Sequence, residues 1–165
     1  LEKRIRNLLY LTKLDYLANH EMSSETFSLD NLIKDVVDRL YLSRPELDWN
    51  LDLPQINISG DMEQWRVVIE NLLDNQIRYA NSQILISLKE KNSDKVCLKF
   101  WNDGPNIENE ILNSLFSEFN KGYKGEFGLG LVIVKRILNL HNSHIWAQNE
   151  EVGVSFYIEI PKKMG

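Results

Sequence analysis

The sequence predicts an α+β fold: a two-layer sandwich with a mixed, mostly antiparallel sheet of about five strands and helices on one face. The chain of 165 residues has the length of one domain, with or without a short appendage, and its hydrophobic fraction of 43% is enough for a core. Apolar residues recur at helical spacing in some segments and at every second position in others. The period-two segments come in neighbouring pairs, which is typical of antiparallel strands.

The N-terminal segment, residues 1–19, carries leucine and isoleucine at helical spacing but lacks an N-cap signal. The chain also begins at Leu1 rather than at a methionine. We therefore expect this segment to belong to a helical bundle of a longer protein; the alternative is a helix that packs only on its own domain. Residues 20–28 are polar and are predicted to be a linker, and residues 29–165 to form the main domain.

The main domain is predicted to begin with a helix that Ser28 caps and Pro45 ends. Asp61 is expected to cap a second, longer helix in the same way. The predicted elements are, in order, a helix over 29–43, a strand over 49–53, a short extended piece over 56–59, a helix over 61–79, paired strands over 84–88 and 96–100, a short helix over 111–119, a helix over 129–140 and two closing strands. In the last strand the residues expected to face inward are Val152, Val154, Phe156, Ile158 and Ile160.

Composition argues against several classes of function. The net charge of −5 disfavours a broad nucleic-acid-binding surface. Cys97 is the only cysteine, so no intrachain disulfide can form, and no Cys/His cluster indicates a structural zinc site. No run of about 18 apolar residues is present, so no transmembrane helix is predicted in this chain.

A polar stripe runs along the predicted 61–79 helix. At about 100° per residue, Asn71, Asn75 and Arg78 fall within roughly 60° of each other, beside an apolar stripe. Mg²⁺ prefers oxygen ligands and keeps several waters, so one amide oxygen plus phosphate oxygens is sufficient ligation. A guanidinium group pairs with phosphate through its planar fork. Taken alone, the stripe fits an ordinary solvent-exposed helix face equally well.

Glycines mark the start of the predicted 129–140 helix. Gly128 and Gly130 allow a tight turn and a close approach of the backbone to a ligand. A helix N-terminus exposes unpaired N–H groups and a partial positive charge, which favour phosphate. A plain glycine-rich turn is the alternative, because a lone Gly-x-Gly is weak evidence and the P-loop and dinucleotide patterns do not fit.

A third polar segment follows the predicted strand over 96–100. Strand alternation directs the Asn102 side chain toward the interior and Asp103 away from it. A buried amide needs hydrogen-bond partners, and the edge of a nucleobase offers both a donor and an acceptor. Gly104 favours a tight turn, and Ile107 offers apolar surface to a ring. The alternative is an Asx turn that closes the strand.

In their order and separation these segments resemble the ATP-binding catalytic domain of sensor histidine kinases, in the superfamily that also includes gyrase, Hsp90 and MutL. The resemblance covers residues 25–162. The segments that carry it are Asn71–Tyr79, which resembles the N box, Asn102–Ile107, the first glycine box, Leu115–Phe119, the phenylalanine box, and Gly128–Leu131, the second glycine box. Residues 1–19 resemble the C-terminal part of the second helix of a dimerisation and phosphotransfer domain.

The resemblance implies a role for each matching residue. Asn75 would ligate Mg²⁺, and Asn102 would hold the adenine amino group. Asn71 and Arg78 would act beside the metal and the phosphates as the catalytic residues. The other ATP-binding residues that it implies are Tyr79, Gly104, Ile107, Lys121 in a short lid, and Gly128, Leu129, Gly130 and Leu131 around the phosphates.

The chain departs from the family pattern within the boxes. Asn102 stands where the family has Asp, Asn106 replaces a glycine, and Glu126 stands where the second glycine box often has glycine. Arg78 stands where Lys is usual. Asn102 keeps an acceptor oxygen but no charge, which lowers the expected affinity for the adenine amine. Two alternative functions follow: a catalytically inactive nucleotide-binding regulatory module, and a serine kinase or hydrolytic ATPase of the same fold.

The resemblance implies transfer of the γ-phosphoryl group of Mg·ATP to a histidine. Structural roles fit His20, His141 and His144 better than a role as the phosphoacceptor, and the last two would be favourable cations near a helix end. The acceptor would then lie in the protein's own phosphotransfer bundle, outside this chain. Asn71 occupies the place of the water-activating glutamate of related ATPases, which favours transfer over hydrolysis. The implied partner is a response regulator and not a nucleic acid. The full-length protein is expected to be a homodimer on the cytoplasmic side, anchored in the cell membrane.

Overall fold

The computed structural model describes residues 2–18, 22–117 and 128–163. Its helices and strands are, in chain order, α1 (Glu2–Ala18), β1 (Glu25–Ser28), α2 (Leu29–Leu40), β2 (Asp48–Asp52), β3 (Asn57–Gly60), α3 (Met62–Tyr79), β4 (Gln83–Glu90), β5 (Lys95–Asn102), α4 (Asn109–Leu112), α5 (Gly128–Leu140), β6 (His144–Asn149) and β7 (Val154–Pro161). A short 3-10 turn, Tyr41–Ser43, follows α2, so the helix predicted over 29–43 is α-helical only as far as Leu40.

The main sheet has the strand order β2-β4-β5-β7-β6 among the described residues. β2 pairs with β4 in parallel, and the other three pairings are antiparallel. Side chains on one face of the sheet are buried together with residues of α2, α3 and α5, whereas many on the opposite face stay partly exposed. The predicted α+β sandwich with a mixed, mostly antiparallel sheet is therefore confirmed.

A second, two-stranded sheet is formed by β1 and β3, which pair antiparallel from Glu25 opposite Gly60 to Ser28 opposite Asn57. The sequence predicted residues 25–28 as part of a polar linker, and this part of the prediction was wrong. Only Phe27 of β1 is buried, so the strand carries almost no period-two signal. Its partner strand is distant in the chain, and local pattern alone does not reveal such a pairing.

The hydrophobic core lies between the helices and the main sheet. Ile84, Ile86 and Leu88 of β4 are each at most 2% exposed, and β5 presents its matching residues in antiparallel register, with Ile86 opposite Phe100. The paired-strand prediction for these segments is confirmed. Val152, however, is 62% exposed and lies before β7 begins, so its predicted inward position was wrong.

Both helix caps expected from the sequence are present. Ser28 Oγ accepts from the Asn31 N–H at 3.2 Å at the start of α2. Asp61 Oδ1 accepts from the Gln64 N–H at 3.1 Å at the start of α3.

The helix predicted over 111–119 differs from the structure. In the structure, α4 is a single turn that ends at Leu112, and the last two residues of the prediction lie outside the described residues.

Helix α1 uses only part of its apolar surface. Leu11 and Leu14 are buried and the Arg136–Asp15 ion pair joins α1 to α5, so this side packs on the main domain. Tyr10 and Leu17 are partly buried against the same core, whereas Ile5, Leu8, Leu9 and Tyr16 are exposed. Membership of a helical bundle remains a prediction for this helix. Nowhere in the described ranges is there a helix with the length and apolar character needed to cross a membrane.

Candidate functional site

A pocket of about 270 Å³ opens between the C-terminal half of α3, the segment that follows β5, and strand β7. Four of the predicted ATP-binding residues line it: Asn75, Tyr79, Asn102 and Ile107. The rest of the wall is formed by Pro105, Asn106, Glu108, Ile111, Val154 and Phe156. The N box and the first glycine box therefore meet at one cavity.

Asn102, the last residue of β5, is only 2% exposed, so its predicted orientation toward the interior is confirmed. Its Oδ1 accepts from the Gly104 N–H at 2.8 Å. Its Nδ2 donates to Oε1 of Gln76 on α3, also at 2.8 Å. The amide is therefore held between the loop that follows β5 and helix α3, at the wall of the pocket.

Gly104 brings that loop into close contact with the end of α3. A Cβ atom at this position would lie 2.1 Å from the carbonyl oxygen of Tyr79 and 2.7 Å from Asn102 Oδ1. Both distances are far below van der Waals contact, so a side chain at Gly104 would push the loop away from the helix. Glycine is required here by packing, which keeps the pocket wall closed.

Asp103 points away from the pocket, as predicted, and anchors the turn between α3 and β4. Its carboxylate accepts from the backbone N–H groups of Asn81, Ser82 and Gln83 at 2.9 to 3.0 Å and from the Ser82 hydroxyl at 2.6 Å. Burial by itself raises the pKa of Asp103, but these hydrogen bonds outweigh it and lower the pKa to about 2. The charged side chain therefore fixes both segments that flank the pocket.

Asn106 and Ile107 are tied to the turn between β6 and β7. The Ile107 N–H donates to Asn149 Oδ1 at 2.8 Å, and Asn149 Nδ2 donates back to the Ile107 carbonyl at 2.7 Å. Asn106 Nδ2 donates to the carbonyl oxygens of Gly153 at 2.8 Å and Glu150 at 3.2 Å. The Asn106 side chain thus has a structural role, because it joins the loop after β5 to the turn between β6 and β7.

The start of α5 packs directly on the N box. A Cβ at Gly130 would lie 2.8 Å from Asn71 Oδ1, closer than side chains normally approach. Asn71 Nδ2 donates to the Val67 carbonyl one turn earlier on α3, at 2.8 Å. The first N–H groups of a helix have no acceptor within the helix, and among the described residues α5 begins at Gly128. Those donors therefore lie beside the amide of Asn71.

The charged residues of α3 differ in their surroundings. Arg78 is exposed in the last turn of the helix, one turn beyond the half-buried Asn75. Glu70, which precedes Asn71, accepts from Arg39 Nη2 of α2 at 2.8 Å. This ion pair holds the carboxylate of Glu70 toward α2.

His141 is buried at the end of α5. Its Nδ1 lies 2.9 Å from the Ile137 carbonyl, and its Nε2 accepts from the Asp61 N–H at 3.1 Å. These partners fix a neutral imidazole that donates from Nδ1 and accepts at Nε2. Burial lowers the pKa of His141 below 6.5, although the hydrogen bond to Ile137 opposes the shift. The expected helix-end cation was therefore wrong for His141, while its structural role is confirmed.

A family profile described as "Histidine kinase-, DNA gyrase B-, and HSP90-like ATPase" matches residues 60–164, which is more than half of the chain. The chain belongs to this family. Family membership supports ATP binding by this domain. The matched region contains all four sequence boxes, and residues 1–59 precede it.

Relatives within this family are sensor kinases. The sensor histidine kinase CssS of Bacillus subtilis (strain 168) is 49% identical over 163 residues, which cover 98% of this chain and 36% of CssS. The chain thus spans about a third of the length of that relative. The catalytic domain of histidine kinase ThkA has a TM-score of 0.78 at 30% identity, covering 87% of this chain and 100% of that domain. ThkA in complex with the response regulator protein TrrA has a TM-score of 0.70 at 25% identity, covering 96% of this chain and 49% of ThkA.

The residues present fit a nucleotide of the kind this ATPase family binds. The pocket combines an apolar side, with Ile107, Val154 and Phe156, and an amide side, with Asn75 and Asn102. Ligand sites typically have this composition, with a few polar groups that orient the ligand on an apolar surface. Amide oxygens are also suitable ligands for Mg²⁺.

Some predicted site residues lie elsewhere. Lys121 of the expected lid lies outside the described residues. The Leu131 side chain is 2% exposed and belongs to the core, so only its backbone can face a ligand. Sequence reasoning missed Glu108, Ile111 and Phe156 as pocket residues. For Phe156 the missing information was the pairing of β5 with β7, which is set by distant parts of the chain.

Proposed function

We propose that this chain is the Mg·ATP-binding catalytic part of a sensor histidine kinase. The observation that carries the proposal is the meeting of Asn75 and Asn102 at one pocket, with Gly130 packed on Asn71 beside it. These residues come from the N box and the two glycine boxes, and chain order alone does not require them to be close. Their convergence is what a site for one elongated, polar ligand needs.

The adenine ring is assigned to the pocket itself. Asn102 Oδ1 has one lone pair engaged by the Gly104 N–H and a second available to accept from the 6-amino group. Ile107, Val154 and Phe156 supply apolar surface for the ring. The position of Ile107 is fixed by its two main-chain hydrogen bonds to Asn149.

The phosphates and the metal are assigned to the space between Asn75 and the start of α5. Asn75 would ligate Mg²⁺ through its amide oxygen, and Arg78 would contact phosphate. The backbone N–H groups at the start of α5, within Gly128–Leu131, would donate to phosphate oxygens at the positive end of the helix dipole. When bound, Mg²⁺ neutralises charge on the phosphate oxygens.

The side chains beside this space favour phosphoryl transfer over hydrolysis. An amide such as Asn71 is a poor base, and its Nδ2 is engaged by the Val67 carbonyl. Glu70, the acidic residue that directly precedes Asn71 on the helix, is paired with Arg39. Catalysis of phosphoryl transfer rests mainly on positioning and electrostatic stabilisation, and a histidine imidazole is itself a nucleophile. We therefore assign a histidine as the acceptor rather than water.

The acceptor histidine and the partners are proposed from the relatives. CssS is named a sensor histidine kinase, and ThkA has been solved with a response regulator. By analogy, the acceptor would lie in a helical phosphotransfer bundle to which α1 contributes, and a response regulator would receive the phosphoryl group. The exposed apolar side chains of α1 are compatible with a bundle partner. We further propose that the full-length protein is a homodimer anchored in the membrane, with this chain on the cytoplasmic side.

The test is phosphoryl transfer from ATP labelled at the γ position to a separately purified helical bundle that contains a phosphoacceptor histidine. We expect Mg²⁺-dependent, acid-labile labelling of the bundle, and loss of that labelling with Asn75→Ala. Magnesium-dependent ATP binding without transfer would indicate an inactive regulatory module. Steady release of inorganic phosphate by the chain alone, or acid-stable labelling of serine, would indicate the ATPase or serine kinase alternative.

A further inference from the structure

Gln76 stands out because it is fully buried in α3 but is only half satisfied. Its Oε1 accepts from Asn102 Nδ2 at 2.8 Å, whereas its Nε2 has no hydrogen-bond partner among the described residues. Burying a polar group without a partner is costly, so an apolar residue would suit a core position better. Among the described residues, the hydrogen bond of the Gln76 side chain is to Asn102, so any role of this amide at the pocket is exerted through Asn102.

The orientation of both amides follows from one backbone group. The Gly104 N–H can only donate, so the Asn102 atom 2.8 Å away must be the oxygen. The amino group of Asn102 then faces Gln76, and the Gln76 atom that meets it must be the acceptor oxygen. Asn102 is thus held at both ends, by Gly104 and by Gln76.

We propose that Gln76 is a positioning residue for recognition of the purine 6-amino group, acting by holding the amino group of Asn102 away from the pocket. An asparagine at position 102 carries an NH₂ group that a carboxylate lacks, and this donor needs an acceptor when buried. Gln76 supplies that acceptor from within the helix. Only the oxygen of Asn102 then faces the ligand, as an acceptor for an amine.

This inference rests on the proposed ATP-binding function and adds a specificity residue to it. Without the Gln76 oxygen, the Asn102 amino group would lose its buried hydrogen-bond acceptor. Solvent or a ligand in the pocket would then be the acceptor available to it. The amide would then turn its amino group toward the ligand or leave its place, and the contact to the 6-amino group would be lost. Contacts to the triphosphate would be unaffected.

The experiment compares binding of Mg·ATP with binding of Mg·ITP, which carries an oxygen in place of the 6-amino group. Wild type, Gln76→Met, Asn102→Ala and the double variant form a thermodynamic cycle. The loss of one hydrogen bond is expected to lower the ATP preference of Gln76→Met about tenfold, with the affinity for ITP nearly unchanged. The double variant is expected to match Asn102→Ala, because Gln76 acts only through Asn102.

Two further variants separate positioning from damage to the fold. Gln76→Glu keeps an acceptor oxygen in either protonation state and is expected to keep the ATP preference. Gln64→Met is the matched control, since Gln64 is also buried in α3 but lies away from the pocket; it is expected to change neither affinity. Should Gln76→Met fail to fold, Gln76→Ala takes its place in the cycle.

Equal weakening of ATP and ITP binding by Gln76→Met would overturn the inference, since it would indicate only structural damage. Additive losses in the double variant would overturn it as well. In both cases ATP binding that is sensitive to Asn75→Ala would leave the proposed function standing. If the wild type binds neither nucleotide, the proposed function falls, and the inference falls with it.

Discussion

Replacement of Asp103 by asparagine is expected to destabilise the domain at neutral pH and to have about half that effect at about pH 3. The carboxylate accepts four hydrogen bonds from the turn after α3, including one from the Ser82 hydroxyl at 2.6 Å. An asparagine would present an NH₂ group to some of these donors. The turn would then hold the loop that carries Asn102 less firmly against α3.

The magnitude follows from the pKa of Asp103, which is lowered from 3.8 to about 2. At about 1.36 kcal/mol per pKa unit this corresponds to about 2 kcal/mol of stability. The carboxylate is partly exposed, so solvent screening reduces the expected contribution to about 1–2 kcal/mol. Because the folded-state pKa is lowered, the stabilisation is present above pH 3.8 and is lost as the pH falls through about 2.

The assay is urea unfolding of wild type and Asp103→Asn at about pH 7 and about pH 3. We expect a difference of about 1–2 kcal/mol at the higher pH and about half of it at the lower. Asp52→Asn, at an exposed position of β2, is the control and should change stability by less than about 0.5 kcal/mol. A difference between wild type and Asp103→Asn that does not change with pH would refute the argument.

Three other variants test separate contacts of the site. Gly130→Ala introduces a Cβ 2.8 Å from Asn71 Oδ1 and should weaken ATP binding about tenfold in a calorimetric titration. Asn149→Ala removes two hydrogen bonds to Ile107 and should cost about 1–3 kcal/mol in urea unfolding, with weaker ATP binding. His141→Gln removes a buried imidazole whose pKa is lowered, so wild type should lose stability relative to this variant as the pH falls below 6.5.

Each of these has a contradicting result, and two of them have a comparison variant. For Gly130→Ala, the reference is the Asn71→Ala variant: adding Gly130→Ala to it should weaken ATP binding little further, and a further loss of about tenfold would contradict the packing argument. Gln148→Ala changes the neighbouring, exposed residue of β6 and should leave Ile107 in place. For Asn149→Ala, an unchanged affinity for ATP would contradict the assigned role. For His141→Gln, the contradicting result is a stability difference from wild type that stays constant from about pH 7.5 to 5.5.

Much of the fold was predictable because local patterns determine it. The alternation of Ile84, Ile86 and Leu88 marks one face of a strand, and Ser28 and Asp61 mark helix starts through their side-chain chemistry. These signals depend on residues a few positions apart, so the sequence displays them directly.

The parts that failed depend on contacts between distant segments. Strand β1 has one buried residue, Phe27, and exists through its pairing with β3. The neutral state of His141 depends on its burial and on the Asp61 N–H at the far end of α3. Local periodicity and helix-cap residues carry no information on either of these contacts.

The candidate site shows the same division. Asn75, Asn102 and the glycines were identified from spacing and resemblance, since their chemistry is local. Gln76 was not identified, because its partner on β5 becomes visible only when α3 packs against the end of that strand. Such pairs of buried amides are set by tertiary packing rather than by any periodic pattern.

The most direct test of the account is a calorimetric titration of the chain with ATP, with and without Mg²⁺, in wild type and Asn75→Ala. Asn50→Ala, at an exposed position of β2, is the control and should bind as wild type does. The account predicts binding that depends on Mg²⁺ and is weakened in Asn75→Ala. Absence of binding at millimolar ATP, or binding that neither Mg²⁺ nor Asn75 affects, would contradict it.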